Sequence, residues 1–495
     1  MSDKRQNTRV ESSIIIALLF TLALFAVLSC SKRSTSGKQA SAPEATSANK
    51  SAVAAAGDQP NLILISIDTL RRDRLGVYGY EKATSPVIDR LAAESVVFDT
   101  AISAQTNTAP SHATIFTGLF PGSHGILRNG MRLKEKVPTM ASILKEEGYA
   151  TGGFISGWTL TPHTDLQRGF DEYNAAFSGS RREGEITWAL AKRWLRDKGE
   201  GEKPFFLFLH LFEPHFPYVP PAQYALRFLP EQSRLEAPDE RDNLPGLKIK
   251  LKLEPKEERE YEARYNGEVL FSDIIVERLL NELKRTRIQE NTLMILLSDH
   301  GETLFEREWV ADHGGRVYDE QLRVPLIVHF PDKKWAARRI EQQVTLVDVL
   351  PTVLDFLRCR KPERLEGRSL LALIKGSERD KAPHPAFSHA RPEPVRVPEI
   401  SARLSKKGLI SSIRLPNVKL VEYPLESGGW YQQLFDLQAD PDERVNLAQS
   451  KPDLVKKLHQ QLAQWRIRTG VETQSLIPRL SKEIEKGLRS LGYVE

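Results

Sequence analysis

The chain has 495 residues, 40% of them hydrophobic and 27% charged, enough for one large domain and a smaller one and typical of a globular protein. Its 70 basic and 65 acidic residues leave a net charge of +5, near neutral for this length, with no long basic run. That balance argues against nucleic acid as a partner.

Lys4, Arg5 and Arg9 precede an almost unbroken apolar run over residues 14–28, which closes on Val27-Leu28-Ser29-Cys30. A basic start, a short apolar segment and a small residue before a cut site read as a secretory signal over residues 1–29. The run is short of the ~20 apolar residues that a spanning helix needs. Its last four residues resemble a bacterial lipobox, in which the cysteine is lipidated and becomes the mature N-terminus. With two cysteines in the chain, Cys30 belongs to no disulfide framework. A plain membrane anchor with a chance cysteine is the blander alternative. Ser31 is not the aspartate that resembles an inner-membrane retention signal. The expected address is therefore exported and lipid-anchored, on the periplasmic face of the outer membrane. Residues 30–58, rich in Ser, Ala, Thr and Lys, read as a flexible tether.

Beyond the tether, NLILISI (61–67) is a continuous apolar run that suits a strand buried on both faces. A short helix follows at 86–93 and a short strand at 96–98. Pro110 opens a helix that runs to 116, and residues 137–147 form a helix closed by Gly148. Strands are expected at 150–155, 205–211, 292–297 and 324–330. Residues 262–285 carry the apolar stripe of an amphipathic helix, and 344–356 is helical. The alternation predicts an α/β domain with a mostly parallel sheet, here placed at 59–375. The charged stretch 231–260 reads as a surface insertion, either covering the site or simply solvated. After residue 376 the pattern changes to Pro-rich loops and short strands, including 418–423 and 433–437. This predicts a small C-terminal domain over 376–495, with an amphipathic terminal helix at 451–466. Cys359, near the end of an apolar stretch, reads as a buried small hydrophobe.

Four polar clusters follow buried strands: Asp68 after NLILISI, Thr108-Ala109-Pro110-Ser111-His112 before a helix, Glu213-Pro214-His215 after FLFLHLF, and Ser298-Asp299-His300-Gly301-Glu302 after TLMILL. Asp312-His313-Gly314-Gly315 lies a little beyond the last. A carboxylate at the end of a hydrophobic strand is costly to bury unless it is paired or metal-bound. Asp68, Asp299 and His300 supply oxygen and imidazole ligands that suit a divalent metal. Thr108 precedes a helix N-terminus, where the dipole and free N–H groups favour an anion. Metal coordination is one way to activate its weakly nucleophilic hydroxyl. Singly, each residue has an ordinary explanation: a turn for the strand-end Asp, an Asx turn for SDHG, an N-cap for Thr108. The order of the set carries the inference.

With these motifs in place, the chain resembles the sulfatase family of the alkaline phosphatase superfamily over roughly residues 60–465. The family motif C/S-x-P-S-R-x-x-x-x-T-G is matched by Thr108-x-Pro110-Ser111-His112 and Thr117-Gly118. The likeness continues through Gly169-Phe170-Asp171, SDHGE, Arg323-Val324-Pro325-Leu326-Ile327 and LFDLQADPDERVNLA (434–448). It implies a three-layer domain around a central, mostly parallel sheet, with a small C-terminal α+β domain.

The departures are chemical. Thr108 stands where sulfatases convert Cys or Ser to formylglycine, a route closed to threonine. His112 replaces the supporting Arg, and Thr69 replaces the second N-terminal acid. Ser156-Gly157-Trp158-Thr159-Leu160 replaces the segment whose Lys and His hold sulfate, and His300 replaces the metal-binding Asn or Gln. The combination is similar to phosphodiesterases and to phosphoethanolamine or glycerol-phosphate transferases, which use zinc or manganese rather than calcium. By that resemblance Asp68, Thr108, Asp299 and His300 hold one metal. Glu213, His215, His313 and His112 are candidates for a second metal or for the substrate's oxyanion. The expected reaction is attack of Thr108 on an anionic phosphate or sulfate ester, such as one carried by an envelope glycan or lipid, with His215 or His313 as general acid. Three readings compete: a sulfatase without formylglycine, an envelope transferase, and a non-catalytic binding protein on the same fold.

Overall fold

The computed structural model describes residues 59–177, 179–199, 201–231, 235, 254–307, 313–377, 384–391, 403–405, 408–471 and 481–489. The signal segment, Cys30, the tether, Asp312 and most of the charged 231–260 stretch lie outside the described residues. No described helix is long and apolar enough to cross a membrane.

In chain order the strands are β1 (Asn61–Ile67), β2 (Val96–Phe98), β3 (Ala101–Ile102), β4 (Ala150–Phe154), β5 (Glu172–Asn174), β6 (Phe205–Leu211), β7 (Thr292–Leu297), β8 (Arg323–Val324), β9 (Leu326–His329), β10 (Arg338–Ile340), β11 (Val344–Thr345), β12 (Ala386–Ala390), β13 (Ile410–Leu415), β14 (Val418–Pro424) and β15 (Trp430–Asp436). Eight of them form one sheet in the order β10-β2-β9-β7-β1-β6-β4-β5. The apolar runs β1, β6 and β7 lie at its centre, buried throughout, with β1 parallel to both neighbours. β9 runs antiparallel to β2 and β7, so the sheet is mostly but not wholly parallel.

The two-residue period of the strands sorts their side chains into two apolar layers. Leu62, Leu64, Phe206, Phe208, Ile295 and Leu297 join one core with residues of the helices Thr108–Thr117, Met140–Glu146 and Val349–Leu357. Ile63, Ile65, Leu207, Leu209, Met294 and Leu296 join the other, with residues of Pro86–Ala93, Gly184–Gly199 and Pro255–Arg285. Each fully buried side chain of this kind contributes roughly 1.5–3 kcal/mol. The expected three-layer α/β architecture is what the chain forms. At β4 the layer comes close enough to require glycine: a Cβ on Gly152 would lie 2.5 Å from the Trp194 ring.

Several boundaries differ from the sequence reading, each for a local reason. The helix expected from residue 262 starts at Pro255, inside the stretch read as an insertion; Glu254 and Glu257 form its capping box. The single helix expected at 344–356 is split. β11 comes first, then Asp348 accepts from the Thr345 N–H and hydroxyl at 3.0 and 3.1 Å, and the helix begins at Val349. Pro325, with no N–H to give, separates β8 from β9 within the expected strand 324–330. The helix expected from Pro110 starts at Thr108. The C-terminal strands β12–β15 form an antiparallel sheet. The helix expected to be terminal spans Pro452–Thr469 and is followed by another at Lys482–Arg489. Cys359 is buried, which pushes its thiol up to about 12.

Asp273, on the long helix, caps the helix Pro86–Ala93 from outside by accepting the Val87 and Ile88 N–H groups at 3.0 and 2.7 Å. Asp273→Ala strands both donors in a buried position. It is expected to destabilise the fold by ~1–3 kcal/mol, read as a lower midpoint in urea or thermal unfolding. An unchanged midpoint would show that the cap contributes nothing.

Candidate active site

The centre forms outside the carboxyl ends of adjacent parallel strands, where open α/β sheets bind ligands. β1 delivers Asp68, β7 delivers Asp299 and His300, and the helix Thr108–Thr117 begins beside them. Asp68, Asp299 and His300 are fully buried, with one ligand atom of each within 4.8 Å of the others. His300 Nε2 lies 3.7 Å from Asp68 Oδ1 and 3.4 Å from Asp299 Oδ2. Thr108 Oγ1 lies 3.5 Å from Asp68 Oδ2. Thr69, next to Asp68, holds φ at 54°, a strained left-handed conformation for a β-branched residue.

Hydrogen-bond accounting tests whether a cation fits. Asp68 Oδ1, both Asp299 carboxylate oxygens and His300 Nε2 have no hydrogen-bond partner among the described residues. Unpaired charge at that depth costs several kcal/mol per group. Burial pushes the Asp68 carboxyl up to about 7. Burial, then the neighbouring Asp68, raises Asp299 as well. His300 is held up by Asp299 and Asp68 against the opposing effect of burial. His300 Nδ1 donates to the Gly301 carbonyl at 2.9 Å, so its Nε2 lone pair faces the two acids. Two carboxylates, one outward imidazole lone pair and an adjacent hydroxyl fit a divalent cation.

The other predicted residues divide. His112 is spent: Nδ1 donates to the Thr108 carbonyl at 2.8 Å, and Nε2 then accepts from Ser66 Oγ at 2.9 Å. Burial drives its pKa down to about 4. Both ring nitrogens are thus engaged within the fold, one of them on the backbone of Thr108. Glu213 has one oxygen engaged, while its Oε2 is buried with no hydrogen-bond partner among the described residues. Its Oε1 accepts the Gly184 N–H at 2.9 Å, at the start of the helix Gly184–Gly199, and its backbone carbonyl accepts from Ser272. The free N–H groups expected at the helix start are scarce. Ala109 N–H donates to Asn129 Oδ1 at 2.9 Å, Ser111 N–H to the Asn107 carbonyl, and Pro110 has none. The macrodipole remains.

His215 and His313 do reach the centre. The His313 ring stacks on His300 at 4.8 Å and meets His215 edge-on at 4.7 Å. His215 lies flat on Phe212, its Nδ1 donating to the Phe216 carbonyl. Burial, then His313, holds it well below the ordinary histidine range. His313 Nδ1 is bonded to Glu302 Oε1 at 2.9 Å, while the Tyr218 hydroxyl donates to Glu302 Oε2.

Sequence reasoning passed over three contributors. Glu302 was legible within SDHGE but carried no role there. Asn129, anchored through Oδ1, has a buried Nδ2 with no partner among the described residues. His210, next to the last residue of β6, is fully buried with Nε2 3.5 Å from Asp68 Oδ2. The signal for His210 was the lone polar residue in FLFLHLF; it pairs in register with Ser66, two residues before Asp68.

Residues 60–358 match the family model described as Sulfatase, and residues 308–468 match one described as N-sulphoglucosamine sulphohydrolase, C-terminal. The chain belongs to the sulfatase family. Members of this family, within the alkaline phosphatase superfamily, are metal-dependent hydrolases. An ulvan-active sulfatase of Formosa agariphila is 25% identical, with 82% of this chain and 81% of the relative covered. The multifunctional alkaline phosphatase superfamily protein PehA of Trinickia caryophylli is 26% identical, with 82% and 95% covered. The phosphonate monoester hydrolase structure from Agrobacterium radiobacter superposes with a TM-score of 0.67 at 22% identity, over 86% of this chain and 99% of that one. This last likeness is one of fold.

Because the Asp68 carboxyl is raised to about 7, it holds a proton at pH 6 that a cation must displace, and little of it at pH 8. Affinity for a divalent cation is expected to fall about tenfold between pH 8 and pH 6, measured by equilibrium dialysis. An affinity flat across that interval would remove Asp68 from the ligand set.

Proposed function

We propose that this sulfatase-family enzyme hydrolyses phosphate esters, with Thr108 as the nucleophile. The observation that carries the reading is the placement of Thr108. Its fully buried hydroxyl lies 3.5 Å from Asp68 Oδ2, at the first turn of a helix and against an acid–imidazole set that fits a cation. When bound, the cation would polarise the ester oxygen and lower the pKa of the hydroxyl. Asp68, Thr108, Asp299 and His300 would hold it. The imidazole among these ligands favours zinc or manganese over calcium.

The remaining work falls to the chain's own residues. Thr108 Oγ1 attacks phosphorus, its proton, made more acidic where the cation would sit, leaving to water. The ester P–O bond breaks, and the leaving oxygen takes a proton from His313, whose ring Glu302 orients. Of the two candidate acids, His313 suits this role. His215 is held neutral, with its Nδ1 proton tied to the Phe216 carbonyl, so it suits binding of the substrate's oxyanion side only through neighbouring donors. Water then hydrolyses the phosphothreonine. One likeness supports phosphorus: the multifunctional alkaline phosphatase superfamily relative. A second reading, sulfate ester hydrolysis, is favoured by relatives named as sulfatases, one of them active on ulvan and one a hexuronate-2-O-sulfatase. An anionic ester carried on a glycan suits either reading.

The deciding measurement loads the enzyme with zinc, manganese or calcium and compares an aryl phosphate monoester, a phosphodiester and an aryl sulfate. Phosphoester turnover is expected, reduced by on the order of a thousandfold or more in Thr108→Ala. Sulfate as the preferred substrate would replace the proposal with the second reading. Metal binding without turnover on any ester would favour group transfer or a binding protein. For Glu302→Gln, kcat is expected to drop ~10²-fold for alkyl leaving groups and far less for a good aryl leaving group. An equal loss for both would show that Glu302 does not act through the proton donor.

A further inference from the structure

The histidines of the centre differ in which ring nitrogen the backbone leaves toward it. In His300 and His112 a carbonyl takes the Nδ1 proton. In His210 the backbone partner is of the opposite kind: the Ser156 N–H lies 3.3 Å from Nδ1. An amide N–H can only donate, so Nδ1 is the acceptor and Nε2 carries the ring proton. His210 Nε2 is therefore a donor and not a ligand. It is fully buried, has no hydrogen-bond partner among the described residues, and lies 3.5 Å from Asp68 Oδ2.

The ring has little freedom to turn elsewhere. It meets the His112 ring edge-on at 5.2 Å and sits beside Phe208 at 6.3 Å. On another side Gly157 comes so near that a Cβ there would lie 3.3 Å from His210 Cε1. Asp68 is thus addressed on two sides. Oδ1 faces His300 Nε2 at 3.7 Å, while Oδ2 faces Thr108 Oγ1 and His210 Nε2, each at 3.5 Å.

We propose that His210 is a positioning residue for the metal centre: its Nε2–H holds Oδ2 of Asp68, so that Oδ1 is presented to the cation beside His300. The proposal rests on Asp68 being a ligand. Outer donors that orient a ligating carboxylate are worth about 10–100-fold in metal affinity. In the metal-free protein the Nε2–H is itself unsatisfied, but an apolar replacement of the ring also strands the buried Ser156 N–H, so some stability is lost with the ring and metal affinity is the deciding readout.

The test titrates zinc or manganese alone into full-length wild type, His210→Phe, His210→Leu, His210→Gln and Asp68→Asn, by calorimetry or equilibrium dialysis, and records the metal-free melting temperature of each. The Phe and Leu variants, two different apolar replacements of the donor, are expected to bind metal about 10–100-fold more weakly, with a lower metal-free melting temperature from the stranded Ser156 N–H. The Gln variant, which keeps an N–H, is expected to recover most of the affinity. Unchanged affinity in Phe or Leu, while Asp68→Asn loses metal, overturns this inference and leaves the ligand assignment standing. Unchanged affinity in Asp68→Asn overturns both. A lower metal-free melting temperature with unchanged affinity would make His210 a packing residue and overturn the inference.

Discussion

Asp68 Oδ1, both Asp299 carboxylate oxygens and His300 Nε2, fully buried and without a hydrogen-bond partner among the described residues, sit at the carboxyl ends of β1 and β7. Electrostatics of that kind is not self-supporting. The desolvation of Asp68 and Asp299 works against the fold until a cation or a proton compensates it. The central sheet makes the arrangement possible. β1 is clamped between two parallel strands whose apolar faces are covered by helices on both sides, so the chain can hold costly groups at one rim. The positive φ of Thr69 is borne at the same place, immediately after Asp68.

The roles of the histidines are decided by backbone atoms rather than by the rings themselves. A carbonyl beside Nδ1 leaves the Nε2 lone pair outward, as at His300, where it can serve as a ligand. A carbonyl on one nitrogen and a hydroxyl on the other consume the ring, as at His112. An amide beside Nδ1 leaves an outward proton, as at His210. A carboxylate beside Nδ1, as Glu302 provides for His313, fixes the orientation of the ring. Identical side chains within one small volume thus have different chemistry, assigned by the local geometry of the strand ends.

Membership of the sulfatase family sets the scaffold, and the departures within the site set the chemistry. Thr108 carries a hydroxyl where the family motif has a convertible residue, and His112 underneath it binds the Thr108 carbonyl instead of reaching the substrate. With the helix N–H groups largely engaged by Asn129 and Asn107, the donor capacity near Thr108 moves to side chains such as Asn129 and His210. The Glu302–Tyr218 pair links the SDHGE segment to the loop after β6, tying the proton-donor side of the site to the same central strands.

The sequence by itself determined the α/β alternation and the central strands β1, β6 and β7, and it named Asp68, Thr108, Asp299 and His300 as candidates for one site. Continuous apolar runs ending in acids have few other physical readings. Element edges were less legible, because a capping box at Thr345 and Asp348 or a proline inside a strand acts over three or four residues and is masked by the apolar pattern. Glu213 looked like a site residue because it follows a buried strand; only the fold shows that its carboxylate caps the helix at Gly184. His210 looked like core because it lies within an apolar strand; only the pairing of β6 with β1 sets it beside Asp68. Linear order states which groups a strand carries toward its end. Register, and the backbone atom that each side chain meets, state what those groups can do, and both arise from residues far apart in the chain.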